Sequence, residues 1–482
     1  MRFDGTVFPG RRAFLKTAAS GFGHTALAAL LHGQAAAASG ARPLAAHAGH
    51  FPARAKRVIF LFMQGGPSHV ETFDAKPKLD ARSGEVAPFA RAAGVEQPGV
   101  GKMRLFGSGW KFQRRGQSGT RVSELLPEMG ATIDDWCVLN GMHTDNLAHA
   151  PACLQIHTGT TTFVWPSMGS WVSYGLGTEN ENLPAYITIS HMLSGDGGSP
   201  QQFGSAFLPA IHQGTRIDLP TAEGADAELR YLRDPKFAGA AQRKQFDFVR
   251  GLNRRQLDRL QGDRHMEGMI ESFELAFKMQ SAAPELFSLK GESEATKKLY
   301  GIGEKETDWF GRQCLLARRL AESGVRFIQL NKGGWDHHGN IRQGLPRTCR
   351  EIDRPVAGLI RDLKARGLFE DTLVVWTGEF GRTPYEQDLS DGKASMENYG
   401  RGHNPYGFTT LMAGAGIRGG HIHGATDEYG YHAVEGKVHI HDLHATILHQ
   451  LGLDHERLTF RHAGRDFRLT DIYGRVVDEI LV

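Results

Sequence analysis

The stretch of sequence that decides the fold is VIFLFM at residues 58–63, which is followed by the turn-forming glycines Gly65 and Gly66. A continuous apolar run of β-branched and aromatic residues is typical of a strand buried on both faces of a parallel sheet. Residues 325–330 and residues 372–377 have the same character and also run into glycines. The sequence therefore predicts three buried strands, each ending in a turn.

Helical spacing appears between and after these strands. Apolar residues recur every three or four positions in residues 353–367 and 443–451, and a longer charged stretch, residues 246–279, has an apolar side. Alternating strands and helices predict an α/β fold, a three-layer α/β/α sandwich around a mixed, mostly parallel sheet. Ligand sites in such sheets lie beyond the carboxyl ends of the strands, so we expect the chemistry there.

Composition and charge exclude several classes of function. Among the 482 residues, 56 Lys and Arg against 53 Asp and Glu leave a formal net charge of +3, too balanced for nucleic-acid binding as the main role. The four cysteines have no CxxC spacing and predict neither a disulfide scaffold nor a thiolate zinc site. There is no GxSxG, GxxxxGK[ST] or HExxH motif, and no GxGxxG that opens a helix. The 23 histidines direct attention to imidazole ligands instead.

Residues 1–50 have the features of an export signal and linker. Arg11 and Arg12 precede a weakly apolar run at residues 17–31 and a segment of small residues at 35–39, a pattern that resembles a twin-arginine-type signal peptide. A basic amphipathic start to an ordinary helix is the alternative. The signal predicts a periplasmic or extracellular protein.

The remaining chain, residues 51–482, is expected to form a single domain with a helical insertion around residues 240–300. No stretch approaches the ~18 uninterrupted apolar residues that a membrane-spanning helix requires. We therefore expect no transmembrane segment.

Candidate metal ligands follow the first two predicted strands. After the first strand, His69 and Asp74 offer nitrogen and oxygen ligands, with a capped helix start as the alternative reading. After the second strand, Asp336 and His338 lie in a glycine-rich loop and can share one ion if the loop curls. Lys332 in the same loop can meet an anionic oxygen. The alternative here is a solvated loop whose histidines cap helices.

Further candidates follow the third strand and a later loop. Glu379 comes directly after residues 372–377, where a carboxylate can reach a metal. Arg382 has the planar fork that matches phosphate and sulfate, although a surface ion pair with Glu379 is the alternative. His403 lies between a glycine and an asparagine, away from any apolar face, which favours a ligand over a core residue.

Several stretches resemble the alkaline phosphatase superfamily and the sulfatases within it. Residues 371–381 are similar to the sulfatase stretch DNTLVIFTSDHG, and residues 149–159 are similar to the sulfatase nucleophile segment. More closely, the loops around Asp336 and His403 resemble the exported family called domain of unknown function 1501, and the match runs over residues 56–482. The resemblance implies an alkaline-phosphatase-like sandwich.

The resemblance also implies roles for single residues. Glu379 falls where the superfamily has a metal-binding Asp, and Asp336 with His338 resembles its Asp-and-His pair. His403 resembles a late ligand histidine. His149 stands where sulfatases place the Cys or Ser that becomes formylglycine, which argues against that mechanism and makes His149 a candidate nucleophile.

Two positions depart from the superfamily pattern. Gln64 stands where the first strand normally delivers a metal-binding Asp, and Phe380 replaces a ligand histidine. A binuclear zinc site would therefore lack two ligands unless His69 or Asp74 substitutes.

Together these residues predict an exported metal-dependent hydrolase of phosphate or sulfate esters, whose substrate could be a sulfated or phosphorylated polymer. Zn or Mn suits the histidine-plus-carboxylate set best, with Ca or Mg as alternatives. Arg382, Lys332 or Arg401 would stabilise the oxygens of the ester. His149 would attack, with a metal-bound hydroxide as an equal alternative and Ser68 or Thr144 as further candidates.

The sequence is also compatible with two other functions. Because the nucleophile and two superfamily ligands are missing, the chain could be a non-catalytic secreted binding protein that keeps the fold and one metal. It could also be an interaction protein for membrane-anchored partners, with residues 246–279 as the docking surface, although core packing explains that apolar face more simply.

Overall fold

The computed structural model describes most of the chain after the expected export signal. The described residues are 44–89, 103–180, 182–190, 199–218, 240–259, 275, 286–387 and 398–482. The twin-arginine motif lies outside this part, and so does most of the predicted helix 246–279 beyond residue 259. No helix among these described residues has both the length and the apolar content needed to cross a membrane.

Strands and helices alternate along the described chain. The strands are β1 Arg57–Phe62, β2 Phe112–Arg115, β3 Thr120–Ser123, β4 Trp136–His143, β5 Tyr186–Ser190, β6 Thr215–Ile217, β7 Phe327–Asn331, β8 Thr372–Thr377, β9 Gly381–Gln387, β10 Gly400–Asn404, β11 Phe408–Ala413, β12 His421–His423, β13 Ala425–Thr426, β14 Ala433–Glu435, β15 Val438–His439, β16 Phe460–His462 and β17 Arg465–Phe467. The helices are α1 His69–Thr72, α2 Pro77–Ala81, α3 Pro127–Gly130, α4 His149–Thr158, α5 Met168–Leu176, α6 Ala240–Arg259, α7 Glu294–Leu299, α8 Asp308–Glu322, α9 Ile341–Ala365 and α10 Ile440–Gln450.

The core of the fold is one large sheet. Within the described residues it has nine strands in the order β12-β4-β11-β8-β1-β7-β5-β6, and β15 also pairs with β4. Strand β11 is antiparallel to β4 and β8, whereas the other pairs in the sheet are parallel. The prediction of a mixed, mostly parallel sheet is confirmed.

Alternate residues of β1 point to opposite faces of this sheet, as the twofold period of a strand requires. Ile59 and Leu61 belong to a buried cluster that includes residues of helices α8 and α9. Phe60 and Phe62 belong to a second buried cluster that includes residues of helices α4, α5 and α10. Helices therefore cover both faces, and the predicted three-layer α/β/α sandwich is confirmed.

The predicted elements differ from the observed ones mainly in their bounds. Strand β8 has the predicted bounds, and the other two predicted strands are shifted by one or two residues. The predicted helix 353–367 is the second half of the longer helix α9, which contains Pro346 and Pro355. Proline normally ends or kinks a helix, and Pro346 lies in the first half, which the sequence pattern did not indicate.

Four strands that point the same way place their ends at one edge of the sheet. Strands β1, β7 and β8 are mutually parallel, and β4 runs in the same direction because the antiparallel β11 lies between β4 and β8. The loops that follow these four strands therefore meet at this edge.

Candidate functional site

The loop after β1 packs directly against the loop after β7. Gly65 has a φ of +117°, a conformation that side chains other than hydrogen strongly disfavour. A Cβ atom there would lie 2.6 Å from the backbone nitrogen of Asp336 and 2.9 Å from the carbonyl carbon of Trp335. Glycine at this position is what allows the two loops to approach each other.

Four side chains from distant parts of the chain converge next to this contact. They are His149 at the start of α4, Asp336 and His338 in the loop after β7, and His403 in β10, and one ligand atom from each lies within 4.8 Å of the others. The Nε2 atoms of the histidines surround Asp336 Oδ1, at 3.2 Å for His149, 3.0 Å for His338 and 3.4 Å for His403. We call these four residues the His–Asp cluster.

The Nδ1 atom of each histidine contacts an oxygen. His149 Nδ1 lies 2.6 Å from Glu379 Oε1, and His403 Nδ1 lies 2.6 Å from the carbonyl oxygen of Leu147. His338 Nδ1 contacts Gln387 Oε1. Carboxylate, carbonyl and amide oxygens accept hydrogen bonds, so each Nδ1 carries a proton.

With the protons on Nδ1, neutral imidazoles would direct three Nε2 lone pairs at one carboxylate oxygen. Such an arrangement is repulsive unless a cation or extra protons lie between them. His149 Nε2 is in fact buried without a hydrogen-bond partner among the described residues. Three imidazole nitrogens and a carboxylate oxygen, oriented by hydrogen bonds from outside, are the donor set expected for Zn or Mn rather than Ca or Mg. The residues present therefore fit a divalent metal.

Phe380 packs against two of the imidazoles. Its ring centroid lies 5.0 Å from that of His149 and 4.5 Å from that of His403. The side chain is fully buried. Phe380 therefore restrains the orientation of two rings of the cluster, at a position where the superfamily pattern has a ligand.

The charges of the site favour bound positive charge. Burial opposes ionisation of Asp336, but contacts with His149, His338 and His403 and the charge of Arg382 lower its pKa well below the usual range. Burial also disfavours the charged form of His149, yet its contacts with Asp336 and Glu379 raise its pKa to about 9. In the absence of a metal, a proton on His149 thus partly fills the demand for a cation between two carboxylates.

Glu379 has a different position from the predicted one. Its buried carboxylate accepts hydrogen bonds from the backbone nitrogen of Gly65, at 2.9 and 3.1 Å, and contacts His149 Nδ1. It is not among the four clustered ligand atoms. The structure places Glu379 behind His149, where it fixes the orientation of the ring.

Arg382 is also used differently from the prediction. The fully buried guanidinium donates to the carbonyl oxygens of Gly66 at 2.9 Å and Arg401 at 3.0 Å, and it also contacts Gly65 O and Asp336 Oδ1. Because its donors are occupied by the protein, Arg382 is not placed to bracket a substrate oxyanion. It holds Asp336 in position instead.

Lys332 likewise has protein partners. Its ammonium lies 2.8 Å from Glu351 Oε2 and donates to the carbonyl oxygen of Gly333 at 2.8 Å. The side chain is almost completely buried. The contacts described for Lys332 therefore tie the loop after β7 to helix α9 rather than to the His–Asp cluster.

His69 and Asp74 do not join the cluster. His69 Nε2 donates to the carbonyl oxygen of Gly430 at 2.7 Å, and burial lowers the pKa of the ring. Asp74 forms an ion pair with Lys76 at 2.8 Å and accepts a hydrogen bond from Thr426. Both residues thus hold the segment 426–430, and the structure does not bring them together with Asp336 as a second ion site.

The sequence reasoning missed two oxygen partners of the cluster, namely the Gln387 side chain and the Leu147 carbonyl. Neither has a local signal in the sequence, because their histidine partners lie 49 and 256 positions away in the chain. Gln387 ends β9 opposite Gly400 of β10, and that register is known only from the structure.

Comparison with known proteins identifies a family. The model of a family described as "Protein of unknown function (DUF1501)" matches residues 55–481, which is most of the chain. No protein with a curated description matches the sequence.

Several solved structures are also similar to this chain. The lipoteichoic acid synthase LtaP from Listeria monocytogenes matches with 9% identity and a TM-score of 0.37, over 90% of this chain and 79% of that one. The PsFucS1 sulfatase from Pseudoalteromonas sp. matches with 13% identity and a TM-score of 0.36, over 88% of this chain and 72% of that one. The alkaline phosphatase from the Antarctic bacterium TAB5 matches with 8% identity and a TM-score of 0.29, over 75% of this chain and 92% of that one. At TM-scores this low, the likenesses carry no argument about activity.

Proposed function

We propose a function for this chain, which belongs to the DUF1501 family: it is an exported, metal-dependent hydrolase of phosphate or sulfate esters. The observation that carries the proposal is the geometry of the His–Asp cluster. Three histidines with protonated Nδ1 atoms direct their Nε2 atoms at one carboxylate oxygen of Asp336. The expected export signal in residues 1–50 supports a location in the periplasm or outside the cell.

The residues of the site divide into ligands and positioning residues. His149, His338, His403 and Asp336 would hold the metal, which when bound would polarise an ester oxygen and lower the pKa of a bound water molecule. Glu379 positions His149 through its Nδ1 atom. Because His149 Nδ1 contacts Glu379 and Nε2 would bind the metal, neither ring nitrogen would be free to attack. We therefore assign His149 as a ligand and not as the nucleophile, and water would supply the attacking oxygen.

Metal content and turnover test this proposal together. Protein purified after export by its native route should contain about one equivalent of Zn or Mn and should hydrolyse nitrophenyl phosphate, bis(nitrophenyl) phosphate or nitrophenyl sulfate. His403→Ala should lose metal and turnover, since it removes one of four ligands. His462→Ala, which removes an exposed histidine on the β16–β17 hairpin, is the matched control and should keep both. Metal-free wild-type protein without turnover above the His403→Ala variant would refute the proposal.

One observation favours a second candidate, a non-catalytic binding protein that keeps the metal. The cations expected to stabilise the ester oxygens, Arg382 and Lys332, have protein partners. Arg401 is also buried, in an ion pair with Glu71. Stoichiometric metal with no turnover of any of the three esters would favour this candidate over the hydrolase.

A further inference from the structure

A cleft of about 520 Å³ lies beside the β2–β3 hairpin, outside the His–Asp cluster. Its lining combines two aromatic residues, Trp110 and Phe112, with one carboxylate, Asp80, and three cations, Lys111, Arg114 and Arg121. The three cationic side chains are exposed, and Trp110 is half-buried. Asp80 accepts a hydrogen bond from the backbone nitrogen of Ser108 at 2.7 Å, so one of its oxygens already has a partner in the protein.

Two of these cations face each other across the hairpin. Arg114 of β2 is directly opposite Arg121 of β3 in the antiparallel register, so both side chains project from the same face. Neither arginine, nor Lys111, forms an ion pair within the described part of the chain. Like charges directly opposite each other destabilise a sheet, and a bound anion would relieve that repulsion.

The cleft contacts the start of helix α9, which follows the loop that carries His338. The guanidinium of Arg342 lies 5.3 Å from the ring centroid of Phe106 and 5.9 Å from that of Trp110, which lines the cleft. Arg342 follows His338 by four residues, so their Cα atoms are at most about 14 Å apart. The segment before the hairpin is also fixed to the site, because Phe106 N donates to the carbonyl oxygen of Pro384 in β9 at 3.0 Å.

We infer that this cleft is a second binding site, which takes a sulfate or phosphate ester group of a polysaccharide whose neighbouring ester reaches the His–Asp cluster. Guanidinium forks match tetrahedral oxyanions, and Trp110 adds an apolar face against which a sugar ring can pack. The inference deepens the proposed function. It rests on that function in one respect, namely that the neighbouring ester is hydrolysed at the metal. Binding at the cleft needs neither metal nor turnover.

The test compares two double variants of the full-length mature protein. Arg114→Gln with Arg121→Gln removes both facing charges, whereas Arg461→Gln with Arg465→Gln removes two exposed charges from the β16–β17 hairpin, where each already has an acidic partner. Binding of dextran sulfate, dextran phosphate and uncharged dextran is measured by calorimetry at two salt concentrations. The cleft variant should lose at least tenfold in affinity for a charged dextran and show a weaker salt dependence, whereas the control should bind as the wild type does.

The choice of polymers distinguishes a sulfate ester from a phosphate ester, and a charged polysaccharide from another polyanion. Preference for dextran sulfate or for dextran phosphate identifies the ester group, and either preference supports the inference when the cleft variant abolishes it. An equal loss in both double variants, no binding of either charged dextran by the wild type, or equal binding of a single-stranded oligonucleotide would overturn it.

The outcome is separable from that of the proposed function. His403→Ala should keep its affinity for the charged dextran although it loses metal. Loss of dextran binding in His403→Ala would place the polymer at the cluster and overturn the inference. Absence of metal from the wild type, with dextran binding lost only in the cleft variant, would refute the hydrolase and leave the cleft in place.

Discussion

Replacement of Glu379 by glutamine separates a positioning role from a ligand role. The wild-type carboxylate is completely buried. Its Oε1 atom accepts hydrogen bonds from Gly65 N at 2.9 Å and from His149 Nδ1 at 2.6 Å. Glutamine keeps one carbonyl oxygen that can accept from both donors. It removes the negative charge and places an NH2 group near Gly65 N, where Oε2 lies at 3.1 Å in the wild type. The variant therefore weakens the support of His149 without removing a donor atom from the cluster.

The expected magnitude follows from this geometry. Mutation of the residue that supports a metal ligand from behind typically weakens metal binding tenfold to a hundredfold, or by about 1.4 to 2.7 kcal/mol. Glu379→Gln removes the negative charge of that residue, so we expect a loss in this range. Glu379→Ala should be worse, because it leaves the Gly65 and His149 donors buried without an acceptor. Each such donor costs about 1 to 3 kcal/mol, so we expect Glu379→Ala to lower the free energy of unfolding by about 2 to 6 kcal/mol.

Calorimetric titration of zinc into metal-free protein measures the first quantity, and urea denaturation measures the second. The absorption spectrum of the cobalt-substituted protein gives an independent readout of the ligand set, which a positioning residue should leave nearly unchanged. If Glu379→Gln lost as much zinc affinity as His403→Ala and altered the cobalt spectrum equally, Glu379 would be a ligand. If its zinc affinity equalled that of the wild type, the assigned positioning role would be refuted.

Two other perturbations test the loop contact and a buried histidine. Gly65→Ala should lower the free energy of unfolding by at least about 2 kcal/mol more than Gly84→Ala. Both glycines have positive φ, but only a Cβ at Gly65 would collide with backbone, since it would lie 2.6 Å from the Asp336 nitrogen. Equal losses of stability in urea denaturation would contradict this packing argument. Burial lowers the pKa of His157 from 6.5 to about 4. Between these pH values the imidazole of His157 is neutral in the folded protein but takes up a proton in the unfolded chain. The free energy of unfolding therefore decreases as the pH falls from 6.5 to 4. His157 accounts for about 3 kcal/mol of this loss of stability. The contribution should be absent from His157→Gln but present in the matched His462→Gln control. If the stability of wild type and of His157→Gln changed in parallel with pH, this assignment would be contradicted.

The layers of the fold could be predicted from local patterns. Residues 58–63 are apolar on both sides of the strand, and the structure places them in the middle of the sheet between two buried clusters. Strand direction then determines which loops meet, so the sequence also indicated that Asp336 and His338 lie at the carboxyl edge. These predictions succeed because burial and strand direction depend on short stretches of chain.

The functions of the cations and of Glu379 could not be predicted in the same way. Glu379 and His149 are 230 positions apart, and Arg382 contacts Gly65 and Gly66 from more than 300 positions away. Whether a buried arginine faces a substrate or backbone carbonyls depends on which loops surround it. The sequence shows the type of side chain but not its neighbours.

The register of the β9–β10 hairpin positions two residues of the site, His403 and Arg382. His403 is directly opposite Arg382, so both side chains lie on one face of the hairpin, and both contact Asp336 Oδ1. The same guanidinium is bound to carbonyl oxygens of Gly65 and Arg401. A shift of one residue in this pairing would turn one of the two side chains away from Asp336. The position of a ligand and the position of the cation that orients the carboxylate are therefore set by a single pairing of strands.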